Sequence, residues 1–326
     1  MAMLEVRDLN VCFRKKNGLF GKEKKLYAVK NVSFDIDSNQ IIGLVGESGC
    51  GKSTLGRTIM QLEKAESGSI KFDGIELNSL SGAKLRKFRK NLQMIFQDPY
   101  SSLNPRMTIR AALDEVLKLH TKLDETWREK RIVDLLQSVG LTYEALNRYP
   151  HQFSGGQRQR IGIARALAVQ PRLIVADEPV SALDVSVQAA IINLLSDIRK
   201  TSRISFIFIA HDLSVVEHIS DTIMVMYLGE IVESGPAHEV VQNPQHPYTK
   251  ALLSAVPKIS DTPQNNSRII LQGELPSPWD ERHGCAFFNR CPMARPECQN
   301  IAPALVSADG SDHFSSCMFP EEVKDL

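Results

Sequence analysis

The first forty residues alternate apolar and polar side chains. The stretches MLEVRDLNVCF and YAVKNVSFDI both have a period of two, which is typical of half-buried antiparallel strands. The segment between them, residues 14–25, is basic and contains glycine, so we interpret it as a solvated loop. The apolar run QIIGLV (40–45) predicts a buried strand, and SGSIKFDGIEL (67–77) returns to strand alternation. The N-terminal part is therefore predicted to be rich in β structure.

Helical periodicity replaces this alternation from about residue 84 to residue 170. In REKRIVDLLQSVGL the apolar residues Ile132, Leu135 and Val139 fall on one helical face. Gly140 stands where a helix commonly ends, because glycine readily adopts the left-handed conformation that closes a helix. We therefore predict that this part of the chain is mainly helical.

Two later apolar runs, RLIVAD (172–177) and SFIFIAHD (205–212), show no alternation. Central strands of a parallel sheet have this pattern because both of their faces are buried. The first run leads to Asp177 and Glu178, and the second leads to His211. In open α/β sheets the chemistry lies at the carboxyl ends of the strands, so these three residues are candidates for a functional site.

Composition excludes several classes of protein. The 326 residues are 43% hydrophobic and 24% charged, and the formal net charge is +1, which argues against a nucleic-acid binder with a strongly basic face. No apolar run approaches the ~18 residues that span a bilayer. The start, MAMLEVRDLN, lacks the features of a secretory signal. We therefore expect a cytosolic chain whose thiols are kept reduced.

Proline is concentrated in the last quarter of the chain, where 11 of the 16 prolines follow residue 235. Because proline interrupts helices and strands, regular elements are expected to be short there. We predict two domains, with a main domain over residues 1–235 and an appended loop-rich module over residues 236–326.

The segment GESGCGKST (46–54) matches the phosphate-loop pattern G-x-x-x-x-G-K-[ST] and follows a predicted strand. Its glycines allow backbone N–H groups to surround phosphate oxygens, and the following helix start favours negative charge. Lys52 can reach the terminal phosphates, and the hydroxyl of Ser53 can bind Mg²⁺. The residues predicted to contact the nucleotide here are Gly46, Glu47, Ser48, Gly49, Cys50, Gly51, Lys52, Ser53 and Thr54.

The adjacent carboxylates Asp177 and Glu178 complement the phosphate loop. We predict that Asp177 binds Mg²⁺ through water and that Glu178 polarises a water for attack on the γ-phosphate. The alternative is that both carboxylates only end the strand, and the presence of a phosphate loop favours the catalytic interpretation.

The stretch FSGGQRQRIGIARAL (153–167) opens a helical pattern with a serine and two glycines, which predicts a second anion-binding helix start. One chain rarely needs two such sites for one nucleotide, so we expect a dimer in which this site closes on the partner's nucleotide. FSGGQ resembles the signature motif of ABC-type ATPases, usually LSGGQ, with Phe153 in place of leucine. Gln97 in MIFQDP resembles the Q-loop of that family, SALD (181–184) its D-loop, and His211 its switch histidine.

The resemblance covers residues 1 to about 235. It implies an α/β fold with a RecA-like P-loop core, an antiparallel β subdomain and a helical subdomain at about 85–165. The proline-rich, cysteine-containing tail adds the expectation of an irregular, metal-stapled C-terminal extension. The resemblance also implies that two cassettes sandwich two ATP molecules head to tail. The residues implied for catalysis are Lys52, Glu178 and His211; those for Mg²⁺ are Ser53, Gln97 and Asp177; and those that complete the partner's site are Ser154, Gly155, Gly156, Gln157 and Asp184.

Two further segments, QDPYSSLNPRMTI (97–109) and NPQHPYTKALLSAVP (243–257), resemble the ABC importers of oligopeptides and dipeptides. This resemblance implies a second, different ATPase subunit, two transmembrane permease subunits contacted through Gln97, and an extracytoplasmic solute-binding protein. It places the chain on the cytoplasmic face of the membrane, with no nucleic-acid partner. Nickel or glycan import, a soluble ABC ATPase of DNA repair or translation, and a redox-responsive ATPase are the alternatives.

An aromatic side chain near the N-terminus usually stacks on adenine in this family. Phe13, Phe20 and Tyr27 all qualify, and we take Phe13 as the first candidate. Packing in the core or in a loop is the competing interpretation for each of them.

Four cysteines close the chain with the spacing C-x5-C-x6-C-x18-C, at Cys285, Cys291, Cys298 and Cys317. Structural zinc sites commonly pair cysteines two to four residues apart, so the spacing counts against zinc. Four thiolates suit a [4Fe–4S] cluster, and some peptide-importer ATPases resemble this tail and carry that cluster. We therefore favour an iron–sulfur cluster that stabilises the module, with Zn²⁺ or no metal as alternatives. The residues His283 and His313 are alternative ligands that we interpret as loop residues.

Overall fold

The structure is a computed structural model that describes residues 2–16, 23–255, 269–273, 276–277, 279, 283–307 and 310–326. Its residues cluster into two compact units. The first unit consists of Met1–Met3, Ile36–Gln40 and Ser79–Ile209, and the second of Leu4–Asp35, Ile41–Asn78 and Ala210–Leu326.

The strands, in chain order, are β1 (Leu4–Lys16), β2 (Glu23–Ile36), β3 (Ile41–Val45), β4 (Ser67–Phe72), β5 (Ile75–Glu76), β6 (Leu92–Ile95), β7 (Leu173–Asp177), β8 (Ser205–Ala210), β9 (Thr222–Tyr227), β10 (Glu230–Pro236), β11 (Val306–Ser307) and β12 (Phe314–Ser315). The α-helices are α1 (Lys52–Ile59), α2 (Gly82–Phe88), α3 (Pro99–Ser102), α4 (Ile109–His120), α5 (Glu125–Ser138), α6 (Gly155–Leu167), α7 (Val185–Ser202), α8 (Leu213–Ile219), α9 (Ala237–Gln242), α10 (Pro247–Ser254) and α11 (Pro296–Asn300).

The first unit has a parallel arrangement in which β6 pairs with β7 and β7 pairs with β8. All residues of β7 and β8 are buried, which explains why their sequences show no alternation. The two strands predicted from the apolar runs are therefore confirmed. Strand β6 lies inside the part predicted to be mainly helical, because a run of four residues carries too little periodicity to reveal a strand.

The helices of the first unit include α5, which confirms the prediction drawn from REKRIVDLLQSVGL. It begins at Asp124, whose side chain accepts a hydrogen bond from the N–H of Trp127, and Gly140 follows its end with φ of +71°. The buried residues Ile132, Leu135 and Leu136 form its inner face. This amphipathic pattern is what fixes the helix in place.

The second unit contains a four-stranded sheet in the order β2-β1-β4-β5, in which β1 pairs antiparallel with β4 and β4 with β5. The predicted N-terminal β structure is confirmed. Also in this unit, β3 pairs parallel with β9, and β9 and β12 flank β10 in antiparallel pairs. The C-terminal region thus joins the sheet through β12, and its regular elements are short, as the prolines predicted.

Candidate functional site

The phosphate loop connects β3 to α1, and its backbone requires glycine at two positions. Gly51 has φ of +111° and Gly46 has φ of +154°. A Cβ atom at Gly51 would lie 2.1 Å from the carbonyl oxygen of Ala28, and one at Gly46 would lie 2.2 Å from that of Met226. Both positions therefore require glycine, and these are the two glycines of the phosphate-loop pattern.

Lys52 is the first residue of α1 and is 4% exposed. Its Nζ donates hydrogen bonds to the carbonyl oxygens of Gly46, at 2.7 Å, and Glu47, at 3.0 Å. The ammonium group is therefore held beside the loop and at a helix N-terminus, a position that favours phosphate groups. The adjacent Cys50 is 1% exposed, and burial raises the pKa of its thiol, in keeping with a packing role for the sulfur.

A second group of predicted residues comes together at the end of β7. Asp177 ends the strand and is 1% exposed. The next residue, Glu178, has φ of +44°, and its N–H donates to the carbonyl oxygen of Ile209 at 3.0 Å. Nε2 of Gln97 donates to Oε2 of Glu178 at 2.8 Å. A left-handed conformation is uncommon outside glycine and concentrates at functional sites, which supports a special role for Glu178.

The predicted residues divide between the two units. Gln97, Asp177 and Glu178 belong to the first unit, whereas Lys52 and His211 belong to the second. The side chain of His211 is exposed, directly before the N-cap of α8. Asp177, Glu178 and His211 lie at the ends of strands, as the sequence predicted, whereas Lys52 begins helix α1.

The signature segment forms the start of α6. Ser154 is the N-cap: its Oγ accepts a hydrogen bond from the N–H of Gln157 at 3.3 Å, and Oε1 of Gln157 accepts one from the N–H of Ser154 at 3.1 Å. Gly155 is exposed, and a Cβ at Gly156 would lie 2.5 Å from Cγ1 of Val187. The reciprocal cap fixes an exposed helix start, and this geometry suits the binding of an anion.

Asp184 has a local structural role in addition to its predicted role at the partner's site. It caps α7 by accepting hydrogen bonds from the hydroxyl of Ser186 at 2.7 Å and from the N–H of Val187 at 2.9 Å. These hydrogen bonds, that of Ser186 first, hold the pKa of Asp184 below its ordinary value. The carboxylate is exposed.

Two of the three candidate aromatic residues for adenine can be placed. Phe13 on β1 is 41% exposed and Tyr27 on β2 is 37% exposed, so a face of each side chain is open. Phe20 lies outside the described residues. The choice of Phe13 stays a prediction.

The four C-terminal cysteines line one small cavity of about 20 Å³, which we call the thiol pocket. It is formed by His246, Pro247, Cys285, Phe287, Phe288, Cys291, Met293, Cys298, Pro303, Ser316, Cys317, Met318 and Phe319. Burial raises the pKa of Cys285 and Cys317, and it raises that of Cys291 to about 12. Metal ligation requires thiolates, so burial in this packing works against metal binding.

The thiol pocket supplies the expected donor atoms but not a ready metal site. Among the described residues, no group of three or more His, Cys, Asp or Glu side chains is arranged to hold a metal ion. The cavity has room for about one water molecule and not for a cluster of eight atoms. The predicted metal-stapled extension is therefore not supported by the structure.

Two histidines of the C-terminal region are buried, and each has a different environment. His313 lies outside the thiol pocket, with Nε2 at 2.7 Å from Oε1 of the buried Glu233. His246 lines the thiol pocket, and burial lowers its pKa to about 3. Its Nδ1 accepts a hydrogen bond from the N–H of Tyr248, which requires the neutral ring.

Sequence reasoning missed Arg290 and Tyr248, which contact the phosphate loop at Glu47. The guanidinium of Arg290 pairs with the carboxylate of Glu47, and the hydroxyl of Tyr248 accepts a hydrogen bond from its N–H. Arg290 is 243 positions from Glu47, so no local periodicity could reveal the pair.

Comparisons with known proteins match this arrangement. Residues 29–181 match the family described as ABC transporter, and residues 232–298 match the family described as oligopeptide/dipeptide transporter, C-terminal region. The dimeric ATP-binding cassette MJ0796, solved in a post-hydrolysis state with ADP and Pi, superposes with a TM-score of 0.64. It is 29% identical, and the match covers 72% of this chain and 99% of that one. The fold and the motifs thus define an ABC-type ATPase, an enzyme that hydrolyses ATP.

Similarity over nearly the full length narrows the class. The chain is 49% identical over 318 residues to the oligopeptide transport ATP-binding protein AppF of Bacillus subtilis, with 97% of this chain and 96% of the relative covered. It is 49% identical over 322 residues to OppF of Escherichia coli, with the same coverage. The di/tripeptide transport protein DppF of Pseudomonas aeruginosa is 46% identical over 303 residues, with 93% of this chain and 94% of the relative covered. The chain belongs to the family of ATP-binding subunits of oligopeptide and dipeptide ABC transporters.

Proposed function

We propose that this chain supplies the energy for the uptake of peptides through a membrane importer. The observation that carries the proposal is the match of residues 232–298 to the C-terminal region of peptide transporters, on a chain that matches peptide-transport relatives along nearly its whole length. In the part of the chain that the structure describes, no helix is long and apolar enough to cross a membrane. Membrane-spanning partners are part of the proposal because the chain matches families of transporters.

The proposed reaction uses the residues that the sequence motifs identified. The amides of the phosphate loop and the ammonium of Lys52 bind the phosphates, which they are suited to do by position and charge. Glu178 orients and polarises the attacking water, and His211 contacts the γ-phosphate. The carbonyl and carboxylate oxygens of Gln97 and Asp177 and the hydroxyl of Ser53 are a donor set that suits Mg²⁺, which neutralises phosphate charge when it is bound.

Dimerisation completes the proposed site. The exposed start of α6, with Ser154, Gly155 and Gln157, closes on the nucleotide of a partner cassette, and Asp184 lies at the same interface. We propose a partner that is a second, different ATPase subunit. Two permease subunits, contacted through Gln97, and an extracytoplasmic solute-binding protein complete the importer. The chain then works as a peripheral protein on the cytoplasmic face of the membrane.

Reconstitution tests this proposal. The chain, its partner ATPase and the two permease subunits are placed in vesicles, and entry of a labelled peptide is followed with and without ATP. ATP-dependent entry supports the proposal. Entry that is the same without this chain contradicts it.

We propose further that the thiol pocket receives a [4Fe–4S] cluster, with Zn²⁺ as the alternative. The support is the convergence of four cysteines on one cavity and their number, which equals the number of iron atoms to be ligated. The proposal requires the walls of the pocket to separate, because the present cavity is too small. The cluster would tie together a region whose regular elements are short.

Anaerobic purification followed by a visible absorption spectrum and metal analysis tests the cluster. We expect a brown protein with about four iron atoms per chain, and loss of the colour in Cys291→Ser. Cys12→Ser, which changes a cysteine on β1 outside the thiol pocket, is the matched control and should keep the colour. A colourless protein with four titratable thiols in the pocket excludes the cluster.

A further inference from the structure

The C-terminal region, residues 236–326, holds the phosphate loop at Glu47. Nη1 of Arg290 donates to Oε2 of Glu47 at 2.7 Å, and Nη2 donates to Oε1 at 3.0 Å. The arginine side chain is 8% exposed and the glutamate side chain 26%. A bidentate ion pair that is partly buried is stronger and more directional than an ion pair on the surface.

A second contact holds the backbone of the same loop residue. The N–H of Glu47 donates a hydrogen bond to the hydroxyl of Tyr248 at 2.8 Å. Tyr248 is fully buried and packs against Tyr227 and Phe287, with ring centroids 4.7 and 5.4 Å away. Phe287 directly precedes the short 3₁₀ turn Phe288–Arg290, so the same aromatic cluster anchors the turn that carries Arg290.

Glu47 is linked in turn to the ammonium of Lys52. The carbonyl oxygens of Gly46 and Glu47 accept the hydrogen bonds of the lysine Nζ. The side chain and the N–H of Glu47 therefore contact the C-terminal region, while its carbonyl contacts Lys52. Arg290 is therefore connected to Lys52 through a single intervening residue, Glu47.

We propose that Arg290 is a positioning residue for ATP binding, which acts through Glu47 to hold the phosphate loop in the conformation that receives the nucleotide. Tyr248 is the second anchor of the same loop. Ordering a binding loop in advance raises affinity because the cost of ordering is not met at the moment of binding. The inference rests on the binding of ATP at the phosphate loop, and it gives the C-terminal region a role in that binding.

A double-mutant cycle on the purified full-length chain tests the inference. The dissociation constant for ATP is measured for the wild type, Arg290→Gln, Glu47→Gln and the double variant. We expect each single change to raise the constant about tenfold, and the double variant to bind no more weakly than either single variant. For Arg290→Gln, the rate of hydrolysis at saturating ATP should stay within about twofold of the wild type, because neither the catalytic carboxylates nor the residues of the phosphate loop are changed.

Arg295→Gln is the matched control, because it breaks an exposed pair with Glu322 in the same region and should leave the ATP constant unchanged. Unchanged affinity in Arg290→Gln, or additive effects in the double variant, would overturn the inference. If Arg290→Gln does not fold, Glu47→Gln and Tyr248→Phe replace it, and unchanged affinity in both overturns the inference equally. A wild-type chain that binds no ATP contradicts the ATPase function itself, which separates the two failures.

Discussion

Replacing Glu178 with glutamine is expected to lower the rate of ATP hydrolysis by about 10²–10⁴-fold, because a neutral amide cannot polarise the attacking water. ATP should still bind, since the phosphate loop is unchanged. Gln97 can still donate to the new amide oxygen, so the local geometry should persist. The variant should therefore accumulate with ATP bound, as a closed dimer with its partner ATPase.

Phosphate release and size-exclusion chromatography with ATP and Mg²⁺ measure both expectations. Glu321→Gln, the same chemical change on an exposed residue, is the control and should behave as the wild type. Hydrolysis at the wild-type rate in Glu178→Gln would show that another group activates the water. A variant that hydrolyses ATP slowly but stays monomeric would support Glu178 as the catalytic base and would contradict the proposed dimer.

Replacing Lys52 with alanine should weaken ATP binding by about 10–10²-fold, because a hydrogen bond to a charged group contributes about 1.5–3 kcal/mol. Lys52 is 4% exposed, and its ammonium is hydrogen-bonded to two carbonyl oxygens of the phosphate loop. Its removal leaves those oxygens without their donor as well as the phosphates without a cation. Hydrolysis should fall with binding.

Titration with a fluorescent ATP analogue measures the loss. Lys200→Ala, on an exposed face of α7, is the control, because its side chain is 73% exposed. Thermal unfolding of each variant without nucleotide shows whether the substitution lowers the stability of the fold itself. If the ATP affinity of Lys52→Ala stayed within about threefold of the wild type, Lys52 would not be a phosphate-binding residue.

Local patterns predicted the phosphate loop, the strand ends and the signature segment. The glycines of the phosphate loop are required by contacts with Ala28 and Met226, so the pattern in the sequence reports a backbone constraint. The all-apolar strands β7 and β8 were visible because burial on both faces removes alternation. Each of these signals comes from a few neighbouring residues.

Contacts between distant residues were not predictable. Strand β6 is too short to show a period, and the pair of Arg290 with Glu47 joins positions 243 residues apart. The number of cysteines in the tail and the family resemblance led to the prediction of a cluster. They could not predict that burial would narrow the thiol pocket to about 20 Å³, because the volume depends on the packing of Phe287 and its neighbours.

Uptake of a labelled peptide into vesicles that contain the complete importer tests the central claim most directly. The wild-type chain is compared with Glu178→Gln, which should assemble equally well and bind ATP. We predict ATP-dependent accumulation with the wild type and about a 100-fold lower initial rate with Glu178→Gln. Peptide accumulation at the same rate with both chains, or without ATP, would contradict a role for this chain in driving transport.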